Sequence, residues 1–329
     1  LRILFITSTS IGDVILGSGA LKSLFDQYPD ARFTILCGPI SANLFQAMPR
    51  IDNIFVITKR KWRLHWLDAW KQCKTTKWDI VVDLRNTIIT RFLRANNKMI
   101  NWQWDNMDHR VSLYASVLKL NHIPSPFLWI SEHALSIAAK QIPQNRFILA
   151  ICPTASTLDK CWPLDRFIQL ISDLIKPEGI LAHAMVLIIG ANSERDYITP
   201  LLKSVPDHRL IDAVGCDLQL AAAYLKNSTM FLGNDSGLMH MAAAVQTPTL
   251  GLFGPNSLPK KFRPWGLHCS YIYKPRPDSH SSDDNDLMAL ISINEVLTAM
   301  NDLIRENRAY VHNRLLNEID INEDNLVAD

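Results

Sequence analysis

Short apolar runs alternate with helical patterns in two successive rounds along this chain, and that alternation constrains the fold more than any other feature. Strands are expected at 2–6, 32–36, 54–57 and 79–83, with helical patterns at about 14–27, 62–76 and 109–119. A second round opens at Phe147-Ile148-Leu149-Ala150-Ile151 and has further strands at 185–189, 230–232 and 249–253. Its helices fall near 163–175, 193–204, 217–226 and 236–245. A strand that is followed by a helix and then by another strand must cross over, so the pairing is mainly parallel and both sheet faces are covered. Two rounds imply two doubly wound α/β domains.

The length suits this reading, since 329 residues hold about two domains of roughly 150 residues each. Hydrophobic residues make up 48% and charged residues 20%, which excludes a disordered, collagen-like or coiled-coil chain. No window reaches the ~18 uninterrupted apolar residues of a membrane span. The first residues run straight into a strand without a basic flank and a cleavage site, so no signal peptide is expected. Six scattered cysteines without a C-x-x-C pair argue against a disulfide framework or a zinc site and fit a reducing cytoplasm. Ile142-Pro143-Gln144-Asn145-Arg146 is the best linker, being short, polar and marked by proline. A polar loop is expected at 275–286, a last helix at 293–306, and an acidic end beyond it.

Charge is unevenly spread. Residues 1–146 carry 19 Lys/Arg against 10 Asp/Glu, whereas the rest is net acidic, and the whole chain is +2. The first half is therefore expected to face an anionic partner.

Open parallel sheets bind ligands beyond the carboxyl ends of their strands, so the loops there are where chemistry is sought. After the first strand, Gly12 permits a tight turn and Asp13 opens a helix. Asp13 reads either as a first-turn carboxylate favoured by the helix dipole or as a general base. The G-x-G-x-x-G spacing of a dinucleotide fingerprint is absent. After the first strand of the second round, Thr154-Ala155-Ser156-Thr157 precedes Lys160 and Trp162-Pro163. Hydroxyls with a lone lysine suit an anion, and a solvated lysine beside a proline-started helix is the plain alternative. Glu194 could accept hydrogen bonds from a ribose diol or serve as a first-turn acid. The strongest local signal is Gly233-Asn234-Asp235-Ser236-Gly237-Leu238-Met239-His240. Asp235 and Ser236 can cap the helix that follows, yet the small residues also leave N–H groups open to a diphosphate, with His240 one turn further on. Lys59-Arg60-Lys61-Trp62-Arg63 precedes a helix with Trp62, Trp66 and Trp70 on one face. This is either a core-facing aromatic stripe or an anionic acceptor site near a membrane surface. No nucleic-acid motif is present, and no nucleic-acid partner is expected.

Taken together and in order, these segments resemble glycosyltransferase family 9, the ADP-heptose:lipopolysaccharide heptosyltransferases, over nearly the whole chain. Ser10-Ile11-Gly12-Asp13-Val14, Ala155-Ser156 with Lys160 and Trp162-Pro163, and Asn234 to His240 carry the likeness. Leu252-Phe253-Gly254-Pro255 and Asp83-Leu84-Arg85 add to it. The resemblance implies a GT-B fold, two facing Rossmann-like domains with a cleft between them. It implies inverting, metal-independent transfer of heptose from ADP-heptose to the lipopolysaccharide inner core, with no cofactor. By that similarity Asp13 looks like the base and Ser156 and Lys160 like the holders of the leaving diphosphate. Glu194 looks like the ribose-binding acid and Asp235 like the sugar-binding carboxylate. Ser236, Gly237 and Leu238 look like the phosphate cradle, and His240 like a sugar contact. Lys59, Arg60, Lys61 and Arg63, with Arg85, are expected to meet an acidic acceptor at the cytoplasmic face of the inner membrane, closest in style to heptosyltransferase I. The family often has Gly at the position of Thr154 and near Asn86, so this chain departs there. The expected domains are 1–143 for the acceptor, 144–290 for the donor, a helix at 291–312 packing back on the first domain, and an acidic tail at 313–329. The alternatives are a family member with another sugar or acceptor, a GT-B-like sugar-nucleotide epimerase, and a non-catalytic nucleotide-sugar-binding protein.

Overall fold

The computed structural model describes residues 1–58, 64–102, 108–276 and 287–315. Its contacts divide the chain into two units, Leu1–Ser131 and Glu132–Asp329. The first holds β1 (Arg2–Ile6), β2 (Arg32–Cys37), β3 (Ile51–Val56), β4 (Trp78–Asp83) and β5 (Ala95–Ile100), with α1 (Ile11–Gln27), α2 (His65–Cys73), α3 (Ile89–Phe92) and α4 (Arg110–Val117). The sheet order is β3-β2-β1-β4-β5, and every pairing is parallel. Central β1 is buried from Ile3 to Ile6, the continuous apolar run that a strand covered on both faces requires.

α1 starts where the Ser10 hydroxyl accepts the Asp13 N–H, a side-chain cap that satisfies one orphan donor of the first turn. Its buried face runs from Val14 to Leu24. Midway, Gly19 lets the helix pass close to the backbone of 124–125, where a Cβ would meet the Ser125 carbonyl oxygen at 2.5 Å and the Pro124 oxygen at 2.8 Å. At an exposed helix position Gly→Ala would stabilise by up to about 1 kcal/mol. Here the sign reverses, because backbone cannot yield as a side chain can. Gly19→Ala is expected to cost about 2–3 kcal/mol in urea denaturation. Gly17→Ala, which meets the Leu84 side chain, should cost less.

The second unit holds α5 (Glu132–Gln141), β6 (Ile148–Cys152), α6 (Leu164–Ile175), β7 (Met185–Ile188), α7 (Arg195–Ser204), β8 (Leu210–Asp212), α8 (Leu218–Lys226), β9 (Met230–Asn234) and α9 (Gly237–Ala244). It continues through β10 (Thr249–Phe253), α10 (Pro259–Phe262), β11 (Cys269–Tyr273), α11 (Ile293–Glu306) and α12 (Arg308–Leu315). The order is β11-β10-β9-β6-β7-β8, again parallel throughout. The chain runs outward from β6 through β7 to β8, then returns to the other side of β6 with β9, so the winding reverses between β6 and β9.

Three strands absent from the sequence reading, β5, β8 and β11, all lie at sheet edges. The division at Ser131/Glu132 falls ahead of the Ile142–Arg146 linker because α5 packs on α8, where the Tyr224 hydroxyl hydrogen-bonds to Gln141. Val296, Met300 and Leu303 of α11 belong to the core of the second unit, with Leu170, Leu174 and Leu252. Trp162, fully buried, donates its indole N–H to the Ile291 carbonyl at 2.9 Å, and the Arg166 guanidinium donates to the carbonyls of Ala289 and Ile291.

All six cysteines are free thiols. Burial pushes Cys37, Cys73, Cys216 and Cys269 up to about 12 and Cys161 up to about 11. The thiolate is the reactive species. Iodoacetamide at pH 8 is therefore expected to label the native protein slowly and the urea-unfolded protein completely, as read by intact mass.

Candidate active site

The donor-type signals of the sequence gather at one edge of the second sheet. Cys152 sits opposite Gly233 in the β6/β9 register, so the two strands end level at the point where the winding reverses. Asn234, at the end of β9, is fully buried. Its amide donates to the Pro153 carbonyl at 2.9 Å and its side-chain oxygen accepts the Trp162 N–H at 2.9 Å. One side chain thus pins both ends of the loop that carries Ser156 and Lys160. Gly233 is needed beside it, since a Cβ there would lie 2.8 Å from the Cys152 carbonyl oxygen.

Lys160 reaches across to β9 and donates to Asp235 Oδ2 at 2.9 Å. The Ser257 hydroxyl donates to the same oxygen at 3.1 Å. The lysine side chain keeps 25% exposure and the aspartate 9%, so the pair is screened less than a surface ion pair. Asn256 donates to Asp159 at 2.7 Å. A hydrogen bond from Thr157 holds the Asp159 carboxyl below the usual carboxylate range, with help from Asn256 and the Lys160 charge. The loops after β6, β9 and β10 are therefore bound into one surface. Ser257 is absent from the sequence reading, although it too follows a strand end. An ammonium fixed in this way still has further N–H donors to offer an anion.

Asp235 is followed directly by α9. Ser236 caps it, accepting the Met239 N–H at 3.3 Å. The N–H groups of Gly237 and Leu238 fall in the first turn, where a helix supplies no internal acceptor and the dipole favours an anion. Ser236, Gly237 and Leu238 are half-buried, and His240 is buried in the same helix. Ser156 is exposed on the preceding loop. At the next strand end, Glu194 accepts the Ala191 N–H at 2.7 Å and the Thr154 hydroxyl at 2.9 Å. The first-turn role read from sequence is thus real, and Glu194 is also tied to the β6 loop.

In the first unit, Asp13 is half-buried beyond β1 and accepts from the Ser10 hydroxyl at 2.9 Å and the Ser8 hydroxyl at 3.2 Å, both on Oδ2. Beyond the neighbouring strand β4, the buried Asp83 carboxylate accepts the N–H groups of Arg85 (2.9 Å) and Thr87 (2.7 Å) and the hydroxyls of Thr87 and Thr90 (both 2.6 Å). Those bonds shape the turn through Asn86, whose φ of 53° is left-handed backbone that asparagine tolerates. Glycine would serve the same geometry. The turn presents Arg85. Burial pushes its guanidinium below the ordinary value, and the charges of Asp83 and Asp13 pull it back up. Arg85 also lies over the Trp66 ring at 5.3 Å.

Of the aromatic stripe, Trp66 and Trp70 are half-buried and pack against the core cluster that includes Leu4, Ile6, Val81 and Ile89. Lys59, Arg60, Lys61, Trp62 and Arg63 lie outside the described residues. Among the described residues, no group of three or more His, Cys, Asp and Glu side chains is placed to hold a metal ion, and no helix is long and apolar enough to cross a membrane.

Two doubly wound parallel sheets, one with a lysine, an acid pair and an open helix N-terminus at its carboxyl edge, define a GT-B type of α/β protein. Solved structures agree on the fold. E. coli ADP-heptose lipopolysaccharide heptosyltransferase II superposes with a TM-score of 0.75 at 19% identity, covering 94% of this chain and 100% of that one. E. coli heptosyltransferase WaaC with ADP gives 0.68 at 16% identity, covering 92% and 100%. In sequence, Lipopolysaccharide heptosyltransferase 3 of Escherichia coli is 21% identical, over 89% of this chain and 96% of its own length. The model of Glycosyltransferase family 9 (heptosyltransferase) matches residues 91–291, and the chain belongs to that family. It is a glycosyltransferase and therefore an enzyme.

Proposed function

We propose that this enzyme transfers a heptose, with inversion and without a metal, from ADP-heptose to an anionic acceptor of the lipopolysaccharide inner core. The observation that carries the reading is the Lys160–Asp235 pair beside the first turn of α9. A cation and a set of aimed N–H groups form a pre-oriented site for charge that develops on a departing diphosphate.

In this reading the acceptor hydroxyl attacks the anomeric carbon as the sugar–phosphate bond breaks. The leaving ADP takes the bonding pair, and Asp13 takes the hydroxyl proton. Inversion by a single displacement needs no enzyme nucleophile, and none is assigned. Lys160, Ser156, Ser236, Gly237 and Leu238 hold the diphosphate, Glu194 the ribose, and Asp235 and His240 the sugar. Arg85 with Lys59, Arg60, Lys61 and Arg63 receives the acidic acceptor, consistent with the basic charge of the first 146 residues. The same reading gives the acceptor to 1–143 and the donor to 144–290, and places the enzyme peripherally at the cytoplasmic face of the inner membrane.

The test is mass spectrometry of products from purified protein, truncated lipopolysaccharide and a panel of nucleotide sugars. One heptose is expected on the acceptor from ADP-heptose alone, with and without EDTA. ADP is expected to raise Tm more than UDP or GDP. Equal shifts from all three would remove the ADP assignment, and loss of transfer in EDTA would remove metal independence.

A further inference from the structure

We propose that Thr154 is a positioning residue that sets selectivity for a ribose-bearing donor by fixing the Glu194 carboxylate. This rests on the reading of Glu194 as the group that binds the donor's ribose hydroxyls.

Two donors converge on a single oxygen of Glu194. The Thr154 hydroxyl reaches Oε2 at 2.9 Å and the Ala191 N–H reaches the same atom at 2.7 Å. A third side is closed by Gly190, where even a Cβ would stand 3.1 Å from Oε2. With Oε2 held, the carboxylate has one orientation, and Oε1 is the acceptor left to present to a ligand hydroxyl. Glutamate otherwise loses substantial side-chain freedom on binding, and the two bonds remove that freedom in advance.

The threonine is itself held. It is only 6% exposed, and its branched Cβ restricts χ1. The Cys152 sulfur lies 3.6 Å from its hydroxyl oxygen. Burial pushes the Cys152 thiol up, so it keeps its proton and can donate to Thr154, leaving the threonine proton for Glu194. The bond also spans two strand ends, β6 to β7, so a residue of one loop sets the aim of an acid on the next. Glycine at this position could supply none of this.

The experiment is calorimetric binding of ADP and 2′,3′-dideoxy-ADP to the full chain, for Thr154→Val, Thr154→Ser and Glu194→Gln. Valine keeps the shape and removes the donor. Thr154→Val is expected to raise the Kd for ADP about tenfold, the scale of one charge-assisted hydrogen bond, with the dideoxy analogue unchanged. Thr154→Ser should restore the preference. In turnover, the donor KM should rise while kcat holds. Should the valine variant fail to fold, Thr154→Ala carries the same expectation. Equal weakening of both nucleotides, or no change in either, while Glu194→Gln abolishes the preference, overturns the role of Thr154 alone. If Glu194→Gln leaves the preference intact, the ribose reading of Glu194 falls, and this proposal falls with it.

Discussion

Asp13→Asn is expected to lower kcat by about 10²–10⁴-fold, the range that a positioned general base contributes. Its Tm should fall by no more than a few degrees. The two roles of Asp13 separate on this comparison. A first-turn carboxylate interacting with the helix dipole contributes about 0.3–1 kcal/mol of stability and nothing to the chemical step. Asparagine keeps the size of the side chain, and Ser10 still caps α1. A variant that melts slightly lower but transfers at full rate would make Asp13 a helix-terminal residue and no more. ADP affinity should be unchanged, because the donor contacts are assigned to the second unit. A loss of ADP binding equal to the loss of rate would show that the substitution had disturbed more than a proton transfer.

The second large effect is expected at Lys160. Lys160→Met should reduce kcat/KM by about 10²–10³-fold, the cost of removing one preorganised donor from developing charge. It should also lower stability. Asp235 is nearly buried, so without Lys160 its charge keeps, among the described residues, the Ser257 hydroxyl, and stranding one partner of a buried pair is costly. The double variant Lys160→Met/Asp235→Asn should recover much of the stability while recovering none of the activity. Lys160→Arg should fold well yet remain impaired, since a planar fork does not replace a point charge. If Lys160→Met transferred at the wild-type rate, the pair would be a structural strut and the leaving-group role would have to pass to other residues.

What the sequence disclosed about this fold follows from burial. β1, β2, β4, β6, β7, β9 and β10 are apolar runs because the sheet faces are covered, and the expected positions match closely. β5, with Asn96, Asn97 and Lys98 exposed, carries no such run. β8 has three residues, and β11 alternates in exposure. Edge strands are held by one neighbour and half-covered, so the hydrophobic signal that marks a central strand is missing. The C-terminal helix was legible as a helix from its apolar spacing.

The site divides in the same way. Lys160, Glu194, Asp235 and Ser236 were found by looking just after strands, a rule of topology that needs no coordinates. That Lys160 pairs with Asp235 across 75 positions was not legible, since it depends on β6 and β9 being neighbours. The partners of Thr154 and Ser257, Glu194 and Asp235, were illegible for the same reason: they are distant in sequence. The tryptophans of α2 permitted two readings, and the half-burial of Trp66 and Trp70 against the first unit's core depends on neighbours distant in sequence.

The grip of Trp162 and Arg166 on the carbonyls of 289–291, with α11 lying in the core behind them, bears on how the molecule is made. The family match ends at residue 291, yet the second core closes only when Leu303 arrives. During synthesis the donor-type half must wait, apolar flank open, until α11 has left the ribosome. A transcript cut short just past the matched region would yield a sheet lacking its final cover, material for proteases rather than a smaller enzyme.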